Sequence, residues 1–262
     1  MKLPPLTHEE PAVTRERWLM LASLAAVSML AWAYTALLMA RSQDVLMASS
    51  MPQMVFWGGP DLALTFAIWA VMMVAMMLPS MAPAMLLFLS IQRGQRALRA
   101  VWTRSVALLA GYLAVWVGFA VLATVAQWGL HTVSLGPSLL RASPLLGGAL
   151  LAGAGLFQWS PLKHACLTSC RSPQGFYMTH WRDGLGGAWE MGLKQGLDCV
   201  GCCWPLMSLM LLAGAMNQLW MVALTALVLV EKAARSGEWI GRAAGVLLVF
   251  LGVWMIASAL VL

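Results

Sequence analysis

The chain has 262 residues, 61% hydrophobic and only 10% charged, whereas soluble domains hold roughly 45–50% apolar and about 25% charged residues. A large soluble core is thereby disfavoured. The net charge of +6 could serve nucleic acid, but the basic residues stand at the ends of apolar runs and form no basic aromatic surface. The expected surroundings are the lipid bilayer, with no nucleic acid as partner.

Residues 1–17 read as a cytoplasmic N-terminal arm and residues 18–262 as one transmembrane helical domain. The first apolar run, Trp18 to Ala40, is too long for a signal-peptide core of about 7–15 residues. It reads as a retained span behind Arg15 and Arg17. A span needs about 20 mostly apolar residues, and further runs occur near 62–90, 105–130, 144–160, 191–213, 216–231 and 242–262. The expected fold is all-α, a polytopic transmembrane bundle of about seven spans. The fourth and sixth runs are short, which leaves six possible. Lys and Arg mark the cytoplasmic side. An N-in, C-out arrangement places 14 of the 16 basic residues there, among them Lys163, Arg171, Lys194 and Lys232. Arg41 and Arg141 fall outside. There is no phosphate-binding glycine loop with its lysine, so active pumping is not expected.

The second span carries Met72, Met73, Met76, Met77, Met81 and Met85, and its outer approach carries Met47, Met51 and Met54. Half of the 20 methionines lie between Met39 and Met85. Methionine commonly fills core gaps, so packing and a soft-metal path both stay open.

After the fourth span comes Pro161-Leu162-Lys163-His164-Ala165-Cys166-Leu167-Thr168-Ser169-Cys170-Arg171-Ser172-Pro173. On a helix, Cys166 and Cys170 face the same way and could chelate one ion, with Lys163 and Arg171 favouring their thiolates. His164 reads as interfacial. The fifth span holds Cys199, Cys202 and Cys203 on one face, extended by Met207 and Met210. Thiolates and thioethers select Cu(I), with Zn as the other thiolate candidate. Three sulfurs in a turn suit Cu(I), whereas structural zinc takes four ligands. Cysteine can also act as a small buried hydrophobe. A structural disulfide is disfavoured on the reducing cytoplasmic side. Pro205 frees the Gly201 carbonyl, and Gly192, Gly196 and Gly201 permit close helix approach. Asp198, on a helix turn with Lys194, marks a pathway or pairs with a partner, or else only sits at the membrane interface.

Met76-Met77-Leu78-Pro79-Ser80-Met81 and Cys202-Cys203-Trp204-Pro205-Leu206-Met207 share a pattern: two soft ligands, a spacer, proline, a spacer, methionine. If the two meet near the midplane, as discontinuous helices do in transporters, Met76, Met77, Cys199, Cys202 and Cys203 form one site.

The stretches AMMLPSMAP, PLKHACLTSCRSP and GLDCVGCCWPLM, within residues 60–235, resemble a bacterial family of integral membrane proteins predicted to bind metal. That resemblance implies a multi-span, copper-associated protein of the bacterial inner membrane, one branch supplying copper to a copper enzyme. The residues it carries over are Cys199, Cys202, Cys203 and Met207, then Met76, Met77 and Met81, then Cys166 and Cys170. Met73 joins them from the methionine stripe. The expected function is Cu(I) binding and delivery to a copper-requiring enzyme or carrier protein, without catalysis. The alternatives are a membrane thiol–disulfide oxidoreductase and an assembly subunit whose cysteines only pack.

Overall fold

The computed structural model describes residues 11–48, 59–93, 98–132, 144–213, 218–234 and 236–261. Met51, Met54 and Arg141 lie outside the described residues, as do the side chains of Arg41, Met47 and His131. Among the described residues there are nine helices and no strand: α1 (Pro11–Ala48), α2 (Gly59–Arg93), α3 (Leu98–Thr132), α4 (Pro144–Phe157), α5 (Pro161–Arg171), α6 (Pro173–His180), α7 (Gly184–Ala213), α8 (Gln218–Ala233) and α9 (Gly237–Val261). The final seven residues of the expected N-terminal arm already belong to α1.

Among the described residues, four helices are long and apolar enough to cross a membrane: α1, α2, α3 and α9. The pair α4 and α5, bent by 60°, adds a fifth if it counts as one span. The difference from seven lies in two elements. α7 has 30 residues but carries Glu190, Lys194 and Asp198 in its first half. α8, at 16 residues, is shorter than the roughly 20 needed to span hydrocarbon.

Small residues decide which helices meet. α7 packs most extensively on α3, where a Cβ added at Gly196 would lie 2.9 Å from Val115 and 3.1 Å from the Tyr112 carbonyl. Gly192 and Gly111 approach the opposite backbone just as closely. The second large interface joins α4 to α9 through Gly148 and Gly155 against Gly252 and Gly245. Only helices without Cβ atoms at the crossing can come this near.

Pro79 lies inside α2, so the Ala75 carbonyl loses its intrahelical donor. Two side chains of α1 replace it. Ser28 Oγ donates to Ala75 O at 3.0 Å and Trp32 Nε1 at 3.1 Å. The proline that interrupts α2 therefore also fixes where α1 docks.

The chain breaks between α4 and α5 for a local reason. Pro161 has no N–H to continue the α4 ladder, and Ser160 caps α5 by accepting from Lys163 N at 3.1 Å. This bend re-aims α5 along the face of α7.

Candidate metal centre

The spacing of three and four along α7 brings Cys199, Cys202 and Cys203 to one side, each no more than 2% exposed. Met207 and Met210 continue that stripe and are fully buried. The helix runs through Pro205 without stopping. The thiols of Cys202 and Cys203 both donate to the Cys199 carbonyl at 3.0 Å. In these rotamers the two thiols behave as weak hydrogen-bond donors, so either must release its proton and turn before ligating a metal.

α5 supplies the next sulfur. Its Cys170 thiol stands beside those of Cys199 and Cys202. Cys166, one turn earlier, abuts Gly201, where an added Cβ would lie 2.6 Å from Cys166 Sγ. The two cysteines of α5 do face the same way, as their spacing predicts. Cys166 meets α7 at Gly201, in the same turn as Cys199 and Cys202, whereas Cys170 is the one whose thiol joins those of Cys199 and Cys202.

Three residues that sequence reasoning passed over complete the centre. Lys232, near the end of α8, donates to Cys199 Sγ at 2.9 Å and to Ser80 Oγ at 3.2 Å. Tyr112 of α3 hydrogen-bonds Cys199 Sγ at 3.1 Å, donates to Met77 O at 3.1 Å and lies 3.2 Å from Ser80 Oγ. Tyr112 is 1% exposed. Lys232 pairs a cation with a sulfur that is anionic whenever it binds metal.

The expectation that Lys163 and Arg171 stand by the thiols is corrected. Lys163 Nζ reaches both carboxylate oxygens of Glu231 at 2.8 Å and also bonds Gln158. Arg171 donates to Ala234 O at 2.8 Å and lies 3.7 Å from Glu238. Both arginine and lysine therefore clamp α5 to α8 and its exit, on either side of the cysteines. The cation at the sulfurs is Lys232.

Met73, Met76, Met77 and Met81 of α2 are all buried in the same core as the cysteines. α2 and α7 do not form one of the extensive helix interfaces. The link between the two proline motifs runs through Tyr112 and Lys232, which hold Met77 O and Ser80 on one side and Cys199 on the other. Asp198 bonds Lys194 at 2.9 Å and Ser169 at 2.6 Å. Asp198 thus has the partner one turn away that its position suggested. His164 is exposed, 3.5 Å from Glu238, and His180 stacks on Phe176. Neither approaches the thiols. Among the described residues no three His, Cys, Asp or Glu side chains already stand in a metal-holding group, which fits the rotamers of Cys202 and Cys203.

Residues 66–255 match the PpoB2 family, described as copper chaperones. The chain belongs to this copper chaperone family. The match spans α2 to α9, and hence every residue of the centre. Searches of curated proteins and of solved structures return no match. Membership ties the chain to copper and implies a copper-requiring partner in general terms.

Proposed function

We propose that the chain is a Cu(I)-binding integral membrane protein of the bacterial inner membrane that delivers copper to a copper-requiring enzyme or carrier protein. The observation that carries this reading is the convergence of the Cys170, Cys199 and Cys202 thiols from two helices, inside a methionine-rich core. Thiolates hold Cu(I) tightly, and thioethers hold it weakly enough for exchange. In this reading the cysteines store the ion, and Met73, Met76, Met77, Met81 and Met207 offer it a softer exit or entry. No step requires catalysis.

Membrane insertion is supported by the apolar exterior. Leu30, Leu122, Phe250 and Trp254 are each at least 60% exposed, a surface that hydrocarbon solvates and water does not. About seven spans, N-in and C-out, follow if α7 and α8 also cross. The orientation rests on the placement of Lys and Arg, although Lys163 and Lys232 make internal contacts and inform it less than solvated residues do.

The decisive experiment is elemental analysis of protein purified without oxygen, wild type against Cys199→Ser/Cys202→Ser. Copper bound stoichiometrically by the wild type and lost in the double variant is expected. Equal copper in both, or zinc in its place, refutes the proposal. A reversible disulfide with no bound metal indicates a thiol oxidoreductase instead.

A further inference from the structure

We infer that Lys232 is a fixed counter-cation that makes the thiol centre select a monovalent ion over a divalent one. The inference rests on the copper reading above and deepens it, since it names the residue that sets which metals the site accepts.

The argument begins with the partners of Lys232. Among the described residues its ammonium contacts only Cys199 Sγ and Ser80 Oγ within hydrogen-bond distance. The acidic residues that adjoin the pair in sequence, Glu231 before Lys232 and Asp198 before Cys199, are committed elsewhere. Glu231 gives both carboxylate oxygens to Lys163, and Asp198 is held by Lys194 and Ser169. No carboxylate lies within 4 Å of Lys232 among the described residues. Lys232 is half-buried, and a cation among apolar helices is costly unless an anion meets it. The anion within reach is a cysteine thiolate.

Charge counting then separates the metals. When Cu(I) is bound by Cys199 and one further thiol, two protons leave to the bathing solution and the bis-thiolate complex carries one negative charge. The ammonium brings the centre to neutrality. A divalent ion on the same two sulfurs leaves a net charge of +1 in a buried site. Whatever the number of thiolates recruited, the fixed cation repels a divalent ion by one unit of charge more than a monovalent ion. At a few ångströms and an effective dielectric near 20, one unit of charge changes binding by more than about tenfold.

Two features keep the ammonium at its post. The Lys163–Glu231 pair pins the residue before Lys232 to α5. Ser80, itself hydrogen-bonded near Tyr112, supplies a neutral acceptor on the opposite side. The charge is therefore held at Cys199 by three helices rather than by one flexible stem.

The test compares wild type, Lys232→Leu and Lys232→Arg in detergent under anaerobic conditions. Cu(I) affinity is read by competition with a chromogenic Cu(I) chelator, and Zn(II) affinity by competition with a zinc indicator. Lys232→Leu removes the charge without adding a metal donor and should move the Zn(II):Cu(I) affinity ratio toward zinc by at least about tenfold. Lys232→Arg keeps the charge and should retain the wild-type ratio. A leucine variant that loses affinity for both ions equally, or an arginine variant that behaves like it, means the lysine is only a scaffold and overturns the inference. If Lys232→Leu does not fold, a wild-type ratio in Lys232→Ala overturns it, and a zinc-shifted ratio supports it. Wild-type protein that binds no Cu(I) overturns the copper reading itself, and this inference with it.

Discussion

The contact between α3 and α7 positions Tyr112 against Cys199, and Gly192→Ala tests how tightly that crossing is set. A Cβ at Gly192 would strike the Leu108 carbonyl and lie 2.9 Å from Leu108 C and 3.0 Å from Tyr112 N. Ordinary contact begins near 3.4 Å, so the helices must part by at least about half an ångström, and by more at the carbonyl. The atoms struck are backbone, which cannot swing aside as a side chain would. Overpacking of this kind typically costs about 1–3 kcal/mol. The same displacement pulls Tyr112, hydrogen-bonded to Cys199 Sγ at 3.1 Å, away from the sulfur. Thermal unfolding in detergent, followed by tryptophan fluorescence, should show a midpoint several degrees lower, together with weaker Cu(I) retention. Gly118→Ala is the control, because it lies on α3, the partner helix of this crossing, and nothing stands within 4 Å of its added Cβ. Equal unfolding midpoints for Gly192→Ala and Gly118→Ala would refute the claim that this crossing admits no Cβ.

Other outcomes follow from the same contacts. Ser28→Ala and Trp32→Phe each leave the Ala75 carbonyl one donor and should cost little, whereas the double variant strands a buried carbonyl and should lose about 1–3 kcal/mol beyond their sum in a thermodynamic cycle. Glu231→Gln leaves the Lys163 ammonium, whose side chain is 4% exposed, without its anion. A loss of about 3–5 kcal/mol is expected, and a Lys163→Met/Glu231→Leu pair should recover much of it in the same melt. Cys170→Ser should weaken Cu(I) binding more than Cys166→Ser in a chelator competition, since only Cys170 meets the Cys199 and Cys202 thiols.

Much of this was legible in the chain because it depends on short-range periodicity. The spacing of Cys199, Cys202 and Cys203 places them together on any α-helix, and the prolines and serines at 160–161 and 172–173 punctuate α5 and α6 as their chemistry dictates. Glycines in α7 foretold close approach, though not to which helix. Lys232 was harder to read. A lysine at the end of an apolar run looks the same whether it snorkels outward to water or turns inward to a sulfur. Counting it, and Lys163, as solvated charges treated two internal contacts as evidence of topology. Tyr112 had no pattern to announce it, because a single tyrosine in a long apolar helix has no spacing partner. The methionine and cysteine motifs suggested a shared site by resemblance of pattern. Their actual connection passes through two residues on other helices, which only long-range packing can specify.

The bond between Ser80 and Lys232 joins residues 152 apart, and that between Tyr112 and Cys199 joins residues 87 apart. A centre closed by contacts this distant forms late, because long loops must close before their contacts stabilise anything. During synthesis, the five cysteines and most of the methionines emerge before Lys232 does. The nascent chain therefore passes through a stage rich in soft donors but without its cation, and cargo acquired then would bind without the discrimination of the finished protein. The order of residues along the chain makes completion of α8 the moment at which an indiscriminate sulfur-rich polypeptide becomes a selective carrier.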